Sequence, residues 1–193
     1  MIHINDRNEY LEVLNKFLPP NPVCAEIGVY LGDFSLQLYN SLSPSKLYLI
    51  DPFETKTCPV TNEDFYPTSI FEHGHRTVYS NQDCLEAVKN KLSAAILENR
   101  VIIDKNLSTD TVDNYEDHTF DFIYIDAVHL HDAVLWDLEN YGPKIKNEGF
   151  IGGHDYIPMF PGVISAVDLF CQKHGFVMKA LNVQGGDFLL AKK

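Results

Sequence analysis

Along the chain, short apolar runs alternate with longer stretches in which apolar residues return at helical spacing. The runs at 23–27, 46–50, 100–103, 120–125 and 149–152 predict strands, and 176–181 with 187–191 predicts a C-terminal hairpin-like pair around Gln184-Gly185-Gly186. Helices are predicted at 8–18, 32–41, 81–98, 130–141 and 163–174, the second with an apolar stripe of Phe34, Leu38 and Leu42. Phe122-Ile123-Tyr124-Ile125 is apolar toward both faces of an extended strand, as in a sheet covered by helices on both sides. Strands and helices in alternation imply an α/β fold. The expected architecture is a doubly wound sheet of about seven strands, mostly parallel, with an antiparallel C-terminal strand and helices on both faces.

The segment 53–80 breaks this rhythm. It follows Pro52, contains Pro59 and Pro67, and is rich in aromatic residues. Loops of that length in a compact domain usually serve a function or lack order. A lid or insertion is the expectation, with an oligomer contact or disorder as alternatives. The rest reads as one domain over 1–193, with an N-terminal helical segment at 1–20.

Composition narrows the function classes. A hydrophobic share of 45% over 193 residues fits a globular protein with its own core. A net charge of −12 with no basic run opposes binding to a nucleic-acid backbone. No apolar stretch nears the roughly 20 residues of a membrane span. Cys24, Cys58, Cys84 and Cys171 form no paired motif, which fits a reducing cytoplasm better than a zinc ribbon or disulfide framework. The expected partner is a small molecule. Nothing in the sequence speaks to the oligomeric state.

The most informative turn is Glu26-Ile27-Gly28-Val29-Tyr30-Leu31-Gly32-Asp33-Phe34-Ser35, between the first sheet strand and its helix. Open α/β sheets bind ligands at such strand ends, and glycine there permits tight turns and close approach. A dinucleotide site would show G-x-G-x-x-G. Here the glycines are spaced G-x-x-x-G, and Glu26 would repel a pyrophosphate while suiting a cationic amino-acid group. Asp51, closing the next strand before Pro52, is placed to accept hydrogen bonds from ribose hydroxyls; a turn cap is its structural alternative.

Together Glu26, Gly28, Gly32 and Asp51 resemble the cofactor site of the class I S-adenosylmethionine-dependent methyltransferases, a Rossmann-like family. The resemblance implies that Glu26 meets the methionine amino group and Asp51 the ribose, with Tyr30 and Ser35 in the same turn. It also places Asp104 and Ser108 in the region bordering the adenine. Ile125-Asp126-Ala127-Val128-His129, the downstream Asp137-Leu138 and Glu148-Gly149-Phe150-Ile151-Gly152-Gly153-His154-Asp155-Tyr156 resemble the sugar and macrolide-sugar O-methyltransferases. Glu148 replaces the first glycine of that last motif. The implied activity is O-methylation of a hydroxyl on a sugar or glycosylated small molecule.

The same resemblance implies Asp126 as a cofactor and catalytic residue, His129 as general base, and Asp126, His154 and Asp155 as ligands of a divalent metal, magnesium or manganese. His154 stands where metal-dependent members carry a second carboxylate, which disfavours magnesium. The bland alternative is that the two acids orient the cofactor or fix loops while His154 packs locally. Trp136 is expected to pack, and His131 to be structural. A dinucleotide-dependent oxidoreductase and a non-catalytic cofactor-binding protein stay open as competing functions.

Overall fold

The computed structural model describes residues 1–62, 69–72, 75–78 and 80–193. In chain order the elements are β1 (Ile2–Ile4), α1 (Arg7–Phe17), β2 (Val23–Ile27), α2 (Asp33–Leu42), β3 (Lys46–Ile50), β4 (Ser69–Glu72), β5 (His75–Val78), α3 (Asn81–Lys91) and α4 (Ser93–Leu97). Then follow β6 (Val101–Asp104), α5 (Ser108–Thr111), β7 (Phe120–Ile125), α6 (His131–Tyr141), β8 (Ile145–Gly153), α7 (Pro161–His174), β9 (Phe176–Asn182) and β10 (Phe188–Lys192). Eight strands form one sheet in the order β1-β9-β10-β8-β7-β2-β3-β6. Strand β10 runs antiparallel to both neighbours, and the other pairings are parallel. This is the doubly wound α/β architecture expected from the apolar runs.

The centre of the sheet is apolar on both faces because it is covered on both. Leu38, Leu47, Phe122 and Tyr124 pack into one core layer with α1, α2 and α3, while Phe120, Ile123, Leu138 and Phe170 pack into the other with α6 and α7. Each such fully buried side chain contributes about 1.5–3 kcal/mol from burial. Helix α1 is started by Asp6, whose carboxylate accepts from the Glu9 backbone N–H, and Tyr10 ties it to the sheet by donating to the Phe188 carbonyl at 2.9 Å.

Four details differ from the sequence expectation. Strand β1 extends the sheet beside β9, and at three residues it is too short to carry a period. The helix expected over 81–98 is two helices broken at Leu92, which has φ −114° and ψ 17° and stays buried. No proline or glycine marks that break. Strand β8 starts earlier than its apolar run, at Ile145, because a register shift between Phe120 and Phe122 admits the polar stretch around Glu148. Within the expected lid, β4 and β5 form a separate antiparallel pair; the lid residues 63–68, 73–74 and 79 lie outside the described residues. Among the described residues no helix is long and apolar enough to cross a membrane.

Candidate functional site

Hydrogen bonds between loops gather the C-terminal ends of five strands on one rim. Gly28 N–H donates to Ile50 (3.0 Å), Asp51 N–H to Asp104 (3.2 Å), Asp126 N–H to Ile27 (2.8 Å) and His154 N–H to Ile125 (3.2 Å). The chain winds outward from β2 to β3 and β6 on one side and returns through β7 on the other, so β2 and β7 flank the switch point where such sheets bind ligands. Gly28 is what lets the two walls meet there. Its φ is +84°, and a Cβ on it would lie 2.1 Å from the Asp126 carbonyl oxygen. Above the rim opens a cleft whose walls include Gly28, Tyr30, Asp51, Ser108 and Asp126.

The other turn residues sit behind that wall. Gly32 caps α2 and lies against Val88. Ser35 is fully buried, and its hydroxyl donates to the Glu26 carboxyl, itself only 2% exposed. Burial pushes the Glu26 pKa up to about 8; the Ser35 hydrogen bond opposes this and Asp126 adds to it. Asp51 is fixed by backbone donors. One oxygen accepts from the N–H groups of Val29 (2.9 Å) and Tyr30 (3.2 Å), and the other from Phe53 (2.8 Å). Asp51 thus shapes the glycine turn from the neighbouring strand and also faces the cleft. The turn-cap and ligand roles weighed from sequence are compatible.

At the β7–β8 end, two acids and two histidines interlock. His129 Nε2 lies 3.3 Å from Asp126 Oδ1 and 2.9 Å from Asp155 Oδ2. His154 Nδ1 lies 3.1 Å from Asp155 Oδ1 and 3.9 Å from Asp126 Oδ2. Each carboxylate therefore turns one oxygen to each histidine. Asp155 reaches this position with φ +61°, a left-handed conformation that aspartate tolerates better than most residues. The turn beside it is held by Tyr156 N–H donating to Gly186 at 3.0 Å. Phe160 backs the His129 ring with centroids 4.7 Å apart.

Burial disfavours charge on His129, but its bonds to Asp126 and Asp155 outweigh burial and raise its pKa to about 9. His154 is raised in the same sense, against burial, by Asp155 and Asp126. Burial would raise the Asp155 pKa, yet His129 and His154 hold it well below the usual carboxylate range. At neutral pH His129 is thus an imidazolium, the acid form. It can act as a base only after losing that proton.

Asp126, His154 and Asp155 also offer one ligand atom each within 4.8 Å of one another. Two carboxylates and an imidazole around such a space fit a small divalent cation, and the mixed donor set suits manganese better than magnesium. His154 must be neutral to be a ligand.

Some residues are placed otherwise than the sequence suggested. Asp104 is turned into its own loop, where Asn106, Thr111 and Tyr115 all donate to its carboxylate. Trp136, expected to pack, lines the cleft. His131, by contrast, was expected to be structural and bonds Ser165 at 2.7 Å. Sequence reasoning gave no role to Arg7, whose guanidinium sits 4.6 Å from the centre of the Phe34 ring and bonds the buried Asp187 and Tyr124. It also passed over Asp137 as a cleft residue, quoting it only within a motif.

A mostly parallel sheet with a rim of acids at its switch point defines a ligand-binding α/β protein. Comparison with known proteins makes this more specific: the family model described as a methyltransferase domain matches residues 25–156. The chain belongs to that methyltransferase-domain family. No curated protein sequence matches it. Among solved structures, it is similar to an O-methyltransferase from Bacillus cereus in complex with SAH, at 15% identity and TM-score 0.61, covering 97% of this chain and 81% of that one. It is similar to a methyltransferase from Geobacter sulfurreducens at 16% identity and TM-score 0.62, with 98% and 80% covered. The Bacillus subtilis M1A22 tRNA methyltransferase TrmK aligns at 11% identity and TM-score 0.55, with 98% and 65% covered. At these identities the likeness is one of fold.

Proposed function

We propose that the protein transfers the methyl group of S-adenosylmethionine to a hydroxyl of a small molecule, with a sugar or glycosylated compound as the acceptor class. One observation carries this: Asp51 and Asp126 line a single cleft across the β2–β7 switch point, with the buried Glu26 carboxyl behind its turn. The carboxylate of Asp51 has lone pairs beyond those used by the backbone and can accept from ribose hydroxyls. Glu26 is neutral at pH 7 by burial, and a ligand ammonium nearby would favour its ionised form. A pyrophosphate finds no comparable partner in an acidic turn, which argues against a dinucleotide oxidoreductase. The sugar class rests on the resemblance of the Ile125–His129 and 148–156 segments, and the net charge of −12 disfavours an RNA acceptor.

In the reaction the acceptor oxygen bonds to the methyl carbon as the carbon–sulfur bond breaks, and that electron pair stays on sulfur. The acceptor proton must leave to a base. His129 Nε2 takes it if the imidazole is neutral; otherwise a carboxylate oxygen of Asp126 takes it. A divalent ion, held by Asp126, His154 and Asp155, would supply a lowered pKa at an acceptor hydroxyl.

The test is calorimetric titration with S-adenosylhomocysteine and, separately, NAD. Micromolar binding of the first and none of the second is expected. Binding of NAD alone would overturn the assignment. With an acceptor in hand, activity after exhaustive chelation decides whether the metal takes part.

A further inference from the structure

Methyl transfer forms one bond in line with the one that breaks, so donor and acceptor meet the methyl carbon from opposite sides. The cleft accounts for one side. Its walls come from the loops after β2, β3, β6 and β7, with parts of α3 and α6, and Asp126 is among them. The loops at 129–130 and 154–160 lie toward β8 and contribute nothing to those walls. They are locked to one another. A Cβ on Gly162, in the first turn of α7, would stand 2.7 Å from the His129 carbonyl oxygen and 2.8 Å from the His131 nitrogen. The Phe160 ring lies against the His129 imidazole. The β9–β10 turn continues the row, since a Cβ on Gly186 would meet the Asp155 nitrogen at 3.0 Å.

What these loops present outward is apolar. Leu130 is 37% exposed, Met159 76% and Val183 61%, three of the seven large apolar side chains that stand exposed among the described residues. Outside the histidine–aspartate cluster, none of residues 127–130, 156–160 and 183–186 is charged. On a chain of net charge −12, charge is kept off this part of the rim alone with its cluster. Apolar side chains on three adjoining loops, rather than scattered singly, mark a binding surface. Resting on the reaction read above, we propose that Leu130 and Met159, with the Phe160 ring, are specificity residues that hold an uncharged, apolar part of the acceptor while its hydroxyl enters the cluster. The cluster offers polar partners to the hydroxyl, and these loops offer no charged partner to the remainder. A charged group placed there would lose water without compensation.

Phenyl β-glucoside and methyl β-glucoside are matched probes, one sugar with and without an apolar ring. Methyl-13C labelling gives a signal for each of the three methionines, and Met159→Leu assigns the one that matters. In protein saturated with S-adenosylhomocysteine, the phenyl compound should shift the Met159 methyl signal and bind at least ~10-fold more tightly than the methyl compound. In the double variant Leu130→Ser, Met159→Ser, followed on the ligand signals, the two should bind within about threefold of each other. Should that variant not fold, Met159→Ser decides alone, with the preference reduced. A wild type that binds S-adenosylhomocysteine but does not prefer the phenyl compound, or a folded double variant that keeps the preference, overturns the acceptor surface and leaves the cofactor assignment standing. Adsorption to phosphatidylcholine vesicles without such a preference overturns it too, in favour of a lipid surface. A wild type that takes up no S-adenosylhomocysteine overturns both.

Discussion

Replacing His129 by glutamine removes the cation shared by Asp126 and Asp155 and tests the electrostatics of the cluster directly. The His129 pKa stands at about 9 against an ordinary 6.5. That difference corresponds to about 3 kcal/mol if it were all interaction free energy. The side chain is 31% exposed, so solvent screening brings the figure down to about 1–2 kcal/mol. The low pKa of Asp155 reports the same contacts from the other side and is not added. Because the folded pKa is raised, the stabilisation is fully present below pH 6.5 and is lost as the pH rises through 9. Urea unfolding of the metal-free protein should therefore show a gap between wild type and His129→Gln that narrows by about 1–2 kcal/mol from pH 6 to pH 10. Imidazole NMR of the wild type should place the His129 midpoint near 9. A midpoint at or below the ordinary value, or a gap that does not change with pH, would refute the imidazolium bridge and restore His129 as a ready base.

Three further outcomes follow from the rim. Gly28→Ala should destabilise the fold by at least ~2 kcal/mol in urea, since it forces a side chain into a positive-φ position against the Asp126 carbonyl; a change below ~0.5 kcal/mol would mean the walls separate freely. Asp51→Ala removes the acceptor of three backbone N–H groups as well as the ribose contact, so S-adenosylhomocysteine affinity should fall about 10- to 100-fold, measured by calorimetry. Unchanged affinity would remove the ribose from Asp51. Manganese binding, followed by electron paramagnetic resonance, should weaken at least ~10-fold in His154→Ala and Asp155→Ala, and a wild type that takes up no manganese would leave the cluster as a charge network alone.

The fold was legible where burial and period coincide. Strands β2, β3 and β7 are apolar on both faces because helices cover both, so their limits could be read from composition alone. Boundaries set by tertiary contacts could not. The break at Leu92 is made by a buried leucine with no helix-breaking residue, and β8 gains its polar start from a register shift against β7 that no local pattern encodes. Even the glycines of the Gly152-Gly153-His154-Asp155 segment, read first as a motif, have a packing cause. A Cβ on Gly152 would meet the Tyr10 hydroxyl at 2.1 Å, and one on Gly153 the Phe188 ring at 2.4 Å. They keep β8 close to α1 and β10, and so deliver His154 and Asp155 to the rim.

The candidate site was legible as a set of strand-end acids but not as a set of charges. Glu26, Asp51, Asp126 and Asp155 are visible in the sequence because each follows or ends an apolar run. Their protonation depends on what faces them after folding. Glu26 becomes neutral because its burial outweighs the hydrogen bond from Ser35, whereas Asp155 keeps its charge because two histidines from different loops converge on it. Asp137 shows the same principle from the other direction. At helical spacing it reads as an ordinary polar residue between Trp136 and Leu138, and only the folded cleft leaves one of its oxygens buried without a donor.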